Sequence, residues 1–161
     1  MGRLIKNRQI IEDPWQLIAD GAELPAGPII VALTRWNRDR TALLARGGPL
    51  GVLVPNTVAV TELAGDLWHW QGGALEFPKF ADGRAYSQAR LLRERYGYRG
   101  EIRAVGDVLR DQLLFMARSG FDAFALRADR SLEDALAAFA EFSESYQPAA
   151  DQPLPLYRRG R

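Results

Sequence analysis

Lys79 is the residue in this sequence whose type and surroundings most suggest chemistry. The protein has 21 basic residues, and only Lys6 and Lys79 among them are lysines. Lys79 follows Pro78 and precedes Phe80, and an ammonium group partly buried beside aromatic rings can become a nucleophile or a base. It can also act as a fixed cation for an oxyanion, and we favour that role because no second catalytic group stands at a clear spacing. If Lys79 has no functional role, the aliphatic part of its side chain packs on Phe80 and its ammonium group reaches water.

Further charged residues stand where the predicted strands end. Ligands of parallel α/β sheets collect at the carboxyl ends of the strands, so these residues predict a pocket for a small anion. Helix N-termini near residues 83–85 and 107–109 would add backbone N–H donors. The alternative is that the loops are merely polar and that Asp107 only caps a helix. With Lys79, the candidate ligand-binding residues are Asp82, Arg84, Arg103, Asp107 and Arg127.

The elements that position these residues alternate between strand and helix. Apolar runs predict five strands, a turn at residues 72–73 precedes the third of them, and residues 131 and 134 form a capping box before a last helix. Strands separated by helices imply parallel pairing with right-handed crossovers. The predicted strands are residues 29–34, 51–54, 75–80, 102–105 and 121–126, and the helices are residues 37–45, 60–67, 85–96, 108–119 and the segment after residue 131.

About five consecutive βα units make this an α/β protein with a parallel sheet. Five units are too few for a complete eight-unit barrel, which needs at least ~200 residues. The third and fourth strands alternate apolar with charged residues, and Arg103 should point away from the helices if Ile102 and Ala104 meet them. Inward charges fit the polar mouth of a barrel better than a doubly wound sheet, so we favour a partial TIM-barrel-like sheet and keep the open doubly wound sheet as the alternative. Arg90, Arg93 and Glu94 are predicted to form a solvated helix face.

Residues 1–161 are predicted to form a single domain. Residues 1–28 comprise a β-hairpin that turns at Asn7, a short helical turn over residues 13–19 with Asp13 as its cap, and a linker. Residues 147–161 are rich in proline and are predicted to be an extended C-terminal tail.

Composition excludes several classes of function. Without cysteine there is no thiol nucleophile, disulfide or cysteine-bound cluster, and a single histidine, His69, argues against a metal site or a catalytic triad. The net charge of +1 and the lack of a long apolar run predict a cytoplasmic protein that binds neither nucleic acid nor a membrane. No phosphate-binding glycine motif is present, so no cofactor is identifiable. Trp68-His69-Trp70 could stack on a planar ligand or simply anchor a turn.

Three blocks of sequence resemble a known family: residues 77–94, residues 103–112 and residues 120–124. Together they are similar to a bacterial family of unknown function whose members are encoded beside sulfite reductase and carry the label of an oxidoreductase involved in sulfite reduction. The resemblance implies a place in assimilatory sulfate reduction but brings no catalytic residues. Because the chain shows no redox motif, another protein would have to hold the redox centre.

Three functional hypotheses follow. The leading one is an accessory protein of assimilatory sulfate and sulfite reduction, which binds a sulfur oxyanion, or sulfite reductase or another enzyme of that pathway. The second is a small barrel-like enzyme that acts on a phosphorylated or sulfated metabolite with Lys79 and Asp82 or Asp107 as acid–base groups. The third is a protein-interaction module that docks through residues 147–161. Open sheet edges would also favour a homodimer.

Overall fold

The chain folds into one curled β-sheet with helices packed against it. The computed structural model describes residues 2–78, 83–127 and 129–142, with side chains up to residue 140. Lys79, Asp82 and the tail of residues 147–161 lie outside these ranges. Strands β1–β8 span Arg3–Lys6, Gln9–Glu12, Gln16–Leu17, Ile29–Ala32, Leu50–Val54, Gly72–Phe77, Glu101–Gly106 and Ala123–Phe124, and helices α1–α4 span Leu33–Ala45, Arg84–Arg90, Leu113–Ser119 and Leu132–Phe142.

The sheet has the order β2-β1-β8-β7-β6-β5-β4-β3. Strands β3 to β8 are parallel and adjacent in chain order, whereas β1 pairs antiparallel with both β2 and β8. A doubly wound sheet reverses its strand order at a switch point, and this order has no such reversal within the described chain. The five predicted strands are confirmed as parallel neighbours, except that residues 33–34 begin α1 and residues 79–80 lie outside the described ranges. The N-terminal hairpin is confirmed as well, with Asn7 and Arg8 at positive φ in its turn.

A short connection forces the sheet to curl. The edge strands β2 and β3 are joined by residues 13–15 alone. The Cα atoms of Glu12 and Gln16 can therefore lie no more than about 15 Å apart. Seven strand spacings in a flat sheet would separate the two edges by about 33 Å. The sheet consequently bends into a half-barrel with a helical outer side and a concave inner side.

The hydrophobic core lies between the outer side of the sheet and the helices. Alternate residues of β4 to β7 point into this core and are at most 1% exposed. They contact apolar side chains of every helix, among them Trp36, Leu43, Ala85, Met116 and Phe139. The core-facing residues of the sheet are Ile29, Val31, Val52, Val54, Leu75, Phe77, Ile102 and Ala104.

Two predicted helical segments adopt other structures. The helical turn over residues 13–19 is wrong, because Gln16–Leu17 pairs with β4 as β3 and the Asp13 carboxylate accepts a hydrogen bond from the Trp15 N–H at 3.0 Å. The helix over residues 60–67 is replaced by two 3₁₀ turns, Val60–Leu63 and Leu67–His69. Their buried side chains, Val60, Leu63 and Leu67, join the core from these short turns.

The predicted solvated face of the helix over residues 85–96 is wrong at Arg93. Its guanidinium donates to the carbonyl oxygens of Tyr98, Gly100 and Gly120 at 2.8–2.9 Å. It also pairs with the Asp122 carboxylate at 3.3 Å. Arg93 therefore ties the exit of this helix to the starts of β7 and β8, while Arg90 and Glu94 form the exposed pair that the spacing predicts. No helix in the described part of the chain is long and apolar enough to cross a bilayer.

Candidate functional site

The inner side of the half-barrel contains a cleft of about 350 Å³. We call it the concave cleft. Its lining comes from β3 to β7, from the segment after β8 and from the connection between β2 and β3. Its volume lies at the lower end of the range of small-molecule sites, which is roughly 300–1,000 Å³. The cleft is lined by Asp13, Trp15, Leu17, Ile30, Leu53, Ala74, Glu76, Arg103, Val105, Gly106 and Ala125.

Trp15 closes the inner end of the cleft. Its ring lies over the starts of β5 and β6, where Gly51 and Gly72 stand next to each other in register. A Cβ atom added to Gly51 would lie 3.2 Å from the Trp15 ring and 3.3 Å from the Gly72 carbonyl oxygen. Both distances are tighter than most Cβ contacts, so a side chain at position 51 would require the indole or the strand to shift by a few tenths of an ångström.

A buried ion-pair chain holds Trp15 and its neighbours in place. Arg103 donates to both Asp13 carboxylate oxygens at 2.7 and 2.9 Å, and its Nε donates to Glu101 at 3.0 Å. Glu101 in turn pairs with Lys6 of β1 at 2.9 Å. Burial alone would lower the pKa of Arg103, but the Asp13 and Glu101 carboxylates outweigh it and raise that pKa above its ordinary value. The chain links the N-terminal hairpin, β7 and the connection that carries Trp15.

Two charged side chains of β6 and β7 face the cleft. Arg103 of β7 is one of them, and Glu76 of β6 is the other. It stands opposite Val105 in the register of the two strands and is partly buried. Within the described ranges, no hydrogen bond or ion pair involves its carboxylate. A carboxylate in this situation has open acceptor sites for a ligand.

The cleft is negative overall. Its lining holds two carboxylates, Asp13 and Glu76, and one guanidinium, that of Arg103. If the neighbouring ion pair of Glu101 and Lys6 is counted as well, the net charge of the cleft remains one negative charge. All three nitrogen positions of the guanidinium already donate to carboxylates, so an incoming anion would have to displace one of them.

Among the predicted site residues that the structure describes, Arg103 is separated from Asp107 and Arg127. Arg103 lies inside the cleft, on the face opposite Ile102 and Ala104, as the alternation in β7 predicts. Arg127 lies in the exposed loops beyond β7 and β8 and pairs with Asp129 at 3.0 Å and with Asp107 at 3.1 Å. The hydrogen bonds that its guanidinium donates to Asp129 and Asp107 raise the pKa of Arg127. Arg84 is exposed at the start of α2. These contacts keep Asp107 and Arg127 as a pair of their own, apart from Arg103.

Of the charged and aromatic residues that line the cleft, the predicted site includes Arg103 but not Asp13, Trp15 or Glu76. The alternation of Ala74 and Glu76 in the third strand carries a signal for Glu76, since it places a carboxylate on the inner side. The local sequence does not predict that Asp13 and Trp15 lie in the cleft, because their position depends on how strongly the sheet curls.

The Trp68-His69-Trp70 segment serves mainly as an anchor. Trp70 is buried and its ring stands edge-on to Trp36, while His69 also packs against Trp36. Trp68 is 77% exposed and stacks on His69 with ring centroids 3.8 Å apart. The described ranges hold no group of three histidine or carboxylate side chains that could bind a metal ion.

A comparison with protein families identifies a match to about two thirds of the chain. The family model described as "Bacterial protein of unknown function (DUF934)" matches residues 51–157. This range includes Glu76 and Arg103 of the cleft but neither Asp13 nor Trp15. No curated protein matches the chain. Because the family model covers more than half of the sequence, the chain belongs to this family.

Proposed function

We propose that this member of the DUF934 family is an accessory protein of assimilatory sulfate and sulfite reduction that works by binding a small ligand in the concave cleft. Sulfite reductase, or another enzyme of that pathway, is the partner that the proposal names.

The pathway part rests on the resemblance of residues 77–94, 103–112 and 120–124. All three blocks fall within the range that the family model matches. The description of the family names no activity. A role in sulfite reduction is therefore supported only by the resemblance. A chain without cysteine holds no thiol to reduce a substrate, which favours an accessory role beside a redox enzyme.

The binding part rests on one observation, the cleft itself. It combines a volume of about 350 Å³ with a largely apolar wall and a carboxylate, Glu76, that has no partner among the described residues. Small-molecule sites are usually apolar pockets that contain a small number of polar groups. The buried Arg103 chain and Trp15 fix the inner wall, so the pocket is formed before any ligand arrives.

The sulfur oxyanion of this proposal would bind outside the cleft. The negative balance of the cleft disfavours an anion there. Lys79, Asp82 and Arg84 come between β6 and the start of α2 in the chain, and they remain the proposed oxyanion residues together with the Asp107–Arg127 pair. The enzyme hypothesis, which needs a phosphorylated or sulfated substrate beside acid–base groups, meets the same electrostatic objection within the cleft.

Growth on different sulfur sources tests the pathway. We expect a strain that lacks this protein to fail on sulfate and on sulfite and to grow on sulfide or cysteine, because only the first two sources need sulfite reduction. A plasmid that carries the intact chain serves as the control and should restore growth. Normal growth of the deletion strain on all four sources would contradict the proposal.

A further inference from the structure

We propose that the concave cleft selects a compact apolar cation, an organic amine, as its ligand. This inference rests on the proposed function only in taking the cleft as the binding site. It adds the chemical class of the ligand, which neither the family nor the sulfur pathway specifies.

The wall of the cleft determines the body of the ligand. Seven of its residues are aliphatic or aromatic, and they surround the pocket from Trp15 at its inner end to Ala125 beside β8. Removing the apolar surface of a ligand from water at such a wall favours binding. A cleft of this volume accepts a compact body rather than a nucleotide or an extended chain. The seven residues are Trp15, Leu17, Ile30, Leu53, Ala74, Val105 and Ala125.

The charges determine the head group of the ligand. Arg103 is neutralised by Asp13 and Glu101, and its side chain is only 5% exposed. Glu76 stands one inward position beyond Ala74 on β6, and Ala74 is the register partner of Arg103 on β7. The Glu76 carboxylate, which has no partner among the described residues, is therefore displaced from the guanidinium along the strands and has open acceptor sites. An ammonium group matches it in charge and in hydrogen bonding.

A carboxylate or sulfur oxyanion does not fit the same place. It would face Glu76 without a counterion, or it would have to separate Arg103 from carboxylates that are themselves largely buried. Breaking a buried pair leaves an uncompensated charge and is strongly unfavourable. The cleft therefore discriminates by charge as well as by size.

Three probes of nearly equal shape test this selection: benzylamine, benzyl alcohol and benzoate, with sulfite as a fourth, inorganic probe. Binding is followed on the full chain by ¹⁵N NMR titration of the Trp15 indole N–H and of the Ala74 and Val105 amides. We expect saturable shifts with benzylamine at millimolar concentration, weaker ones with benzyl alcohol, and none with benzoate or sulfite. Glu76→Gln keeps the shape of the side chain and removes its charge, so it should weaken benzylamine binding about tenfold or more. Glu23→Gln, at an exposed position outside the cleft, is the matched control and should bind benzylamine like the wild type.

The outcomes distinguish this inference from the proposed function. Benzylamine shifts that depend on Glu76 support it. Equal or stronger binding of benzoate or sulfite at these amides would overturn the choice of a cation and leave the cleft as a ligand site. Absence of benzylamine shifts, or equal benzylamine affinity of Glu76→Gln and Glu23→Gln, would overturn it as well. The growth phenotype of the deletion strain is independent of all these results.

Discussion

Replacing Arg103 by alanine is expected to lower the free energy of unfolding by about 3–5 kcal/mol. The substitution removes three hydrogen bonds and leaves Asp13 and Glu101 facing each other, 17% and 6% exposed, without the cation that balances them. Urea denaturation of the full chain, followed by tryptophan fluorescence, measures the loss.

The control for this prediction is Arg90→Ala. The Arg90 guanidinium pairs with the Glu94 carboxylate at 3.4 Å on an exposed helix surface. Removing Arg90 should therefore lower the free energy of unfolding by less than about 1 kcal/mol. In the double variant Arg103→Ala/Asp13→Ala, part of the loss should be recovered, because the second change removes an unpaired buried charge. A loss for Arg103→Ala no greater than that for Arg90→Ala would contradict the role assigned to the ion-pair chain.

Replacing Gly106 by alanine is expected to destabilise the fold by at least about 2 kcal/mol. Gly106 ends β7 at φ +93°, in the left-handed region that L residues rarely occupy. An added Cβ would also lie only 2.6 Å from the Phe77 carbonyl oxygen, which accepts a hydrogen bond from the Asp107 N–H at 2.7 Å. The strands β6 and β7 would have to separate where they form the edge of the cleft. Thermal or urea unfolding measures the change.

Gly65→Ala is the matched control for Gly106. A Cβ at Gly65 meets nothing within 4 Å, and Gly65 is not at positive φ. Its replacement should leave stability unchanged or raise it by up to about 1 kcal/mol, through a less flexible unfolded chain. Equal effects of the two substitutions would show that the conformation of Gly106 is not what shapes this edge.

Much of the fold could be predicted because strands buried on one side against helices have strong sequence patterns. The apolar runs at residues 29–34 and 51–54 and the alternation around Ile102 predict three of the central strands and the direction of Arg103. The turn of the hairpin is predicted by Asn7, which tolerates positive φ. The last helix is predicted by its cap, and the Ser131 hydroxyl indeed accepts a hydrogen bond from the Asp134 N–H at 3.1 Å.

The inner side of the half-barrel could not be predicted in the same way. Residues 72–73 are predicted to form a turn, whereas both glycines belong to β6, where they pair in register with the neighbouring strands β5 and β7. Residues 13–19 have local signals for a helical turn, but pairing with β4 and the contact of Asp13 with Arg103, 90 positions away, determine their structure. Local propensity is a weak guide where long-range contacts decide the conformation.

The placement of the charges also changes the interpretation of the candidate site. Six residues were grouped as one anion pocket, but Arg103 is neutralised within the cleft and Arg127 pairs with Asp107 and Asp129 in the loops. Residue types at strand ends therefore predict where charged groups lie, but they do not predict which of these groups are already neutralised by partners.

The central claim is that the protein works through its concave cleft, and complementation of the deletion strain on sulfite tests it most directly. Ala125→Phe and Val105→Phe would fill the cleft, and Ala42→Phe, at an exposed position of α1, is the control for adding a phenyl group. Far-UV circular dichroism and an unfolding curve establish which variants fold. We predict that folded cleft-filling variants fail to restore growth while Ala42→Phe restores it. Full growth with a folded Ala125→Phe or Val105→Phe protein would contradict the claim.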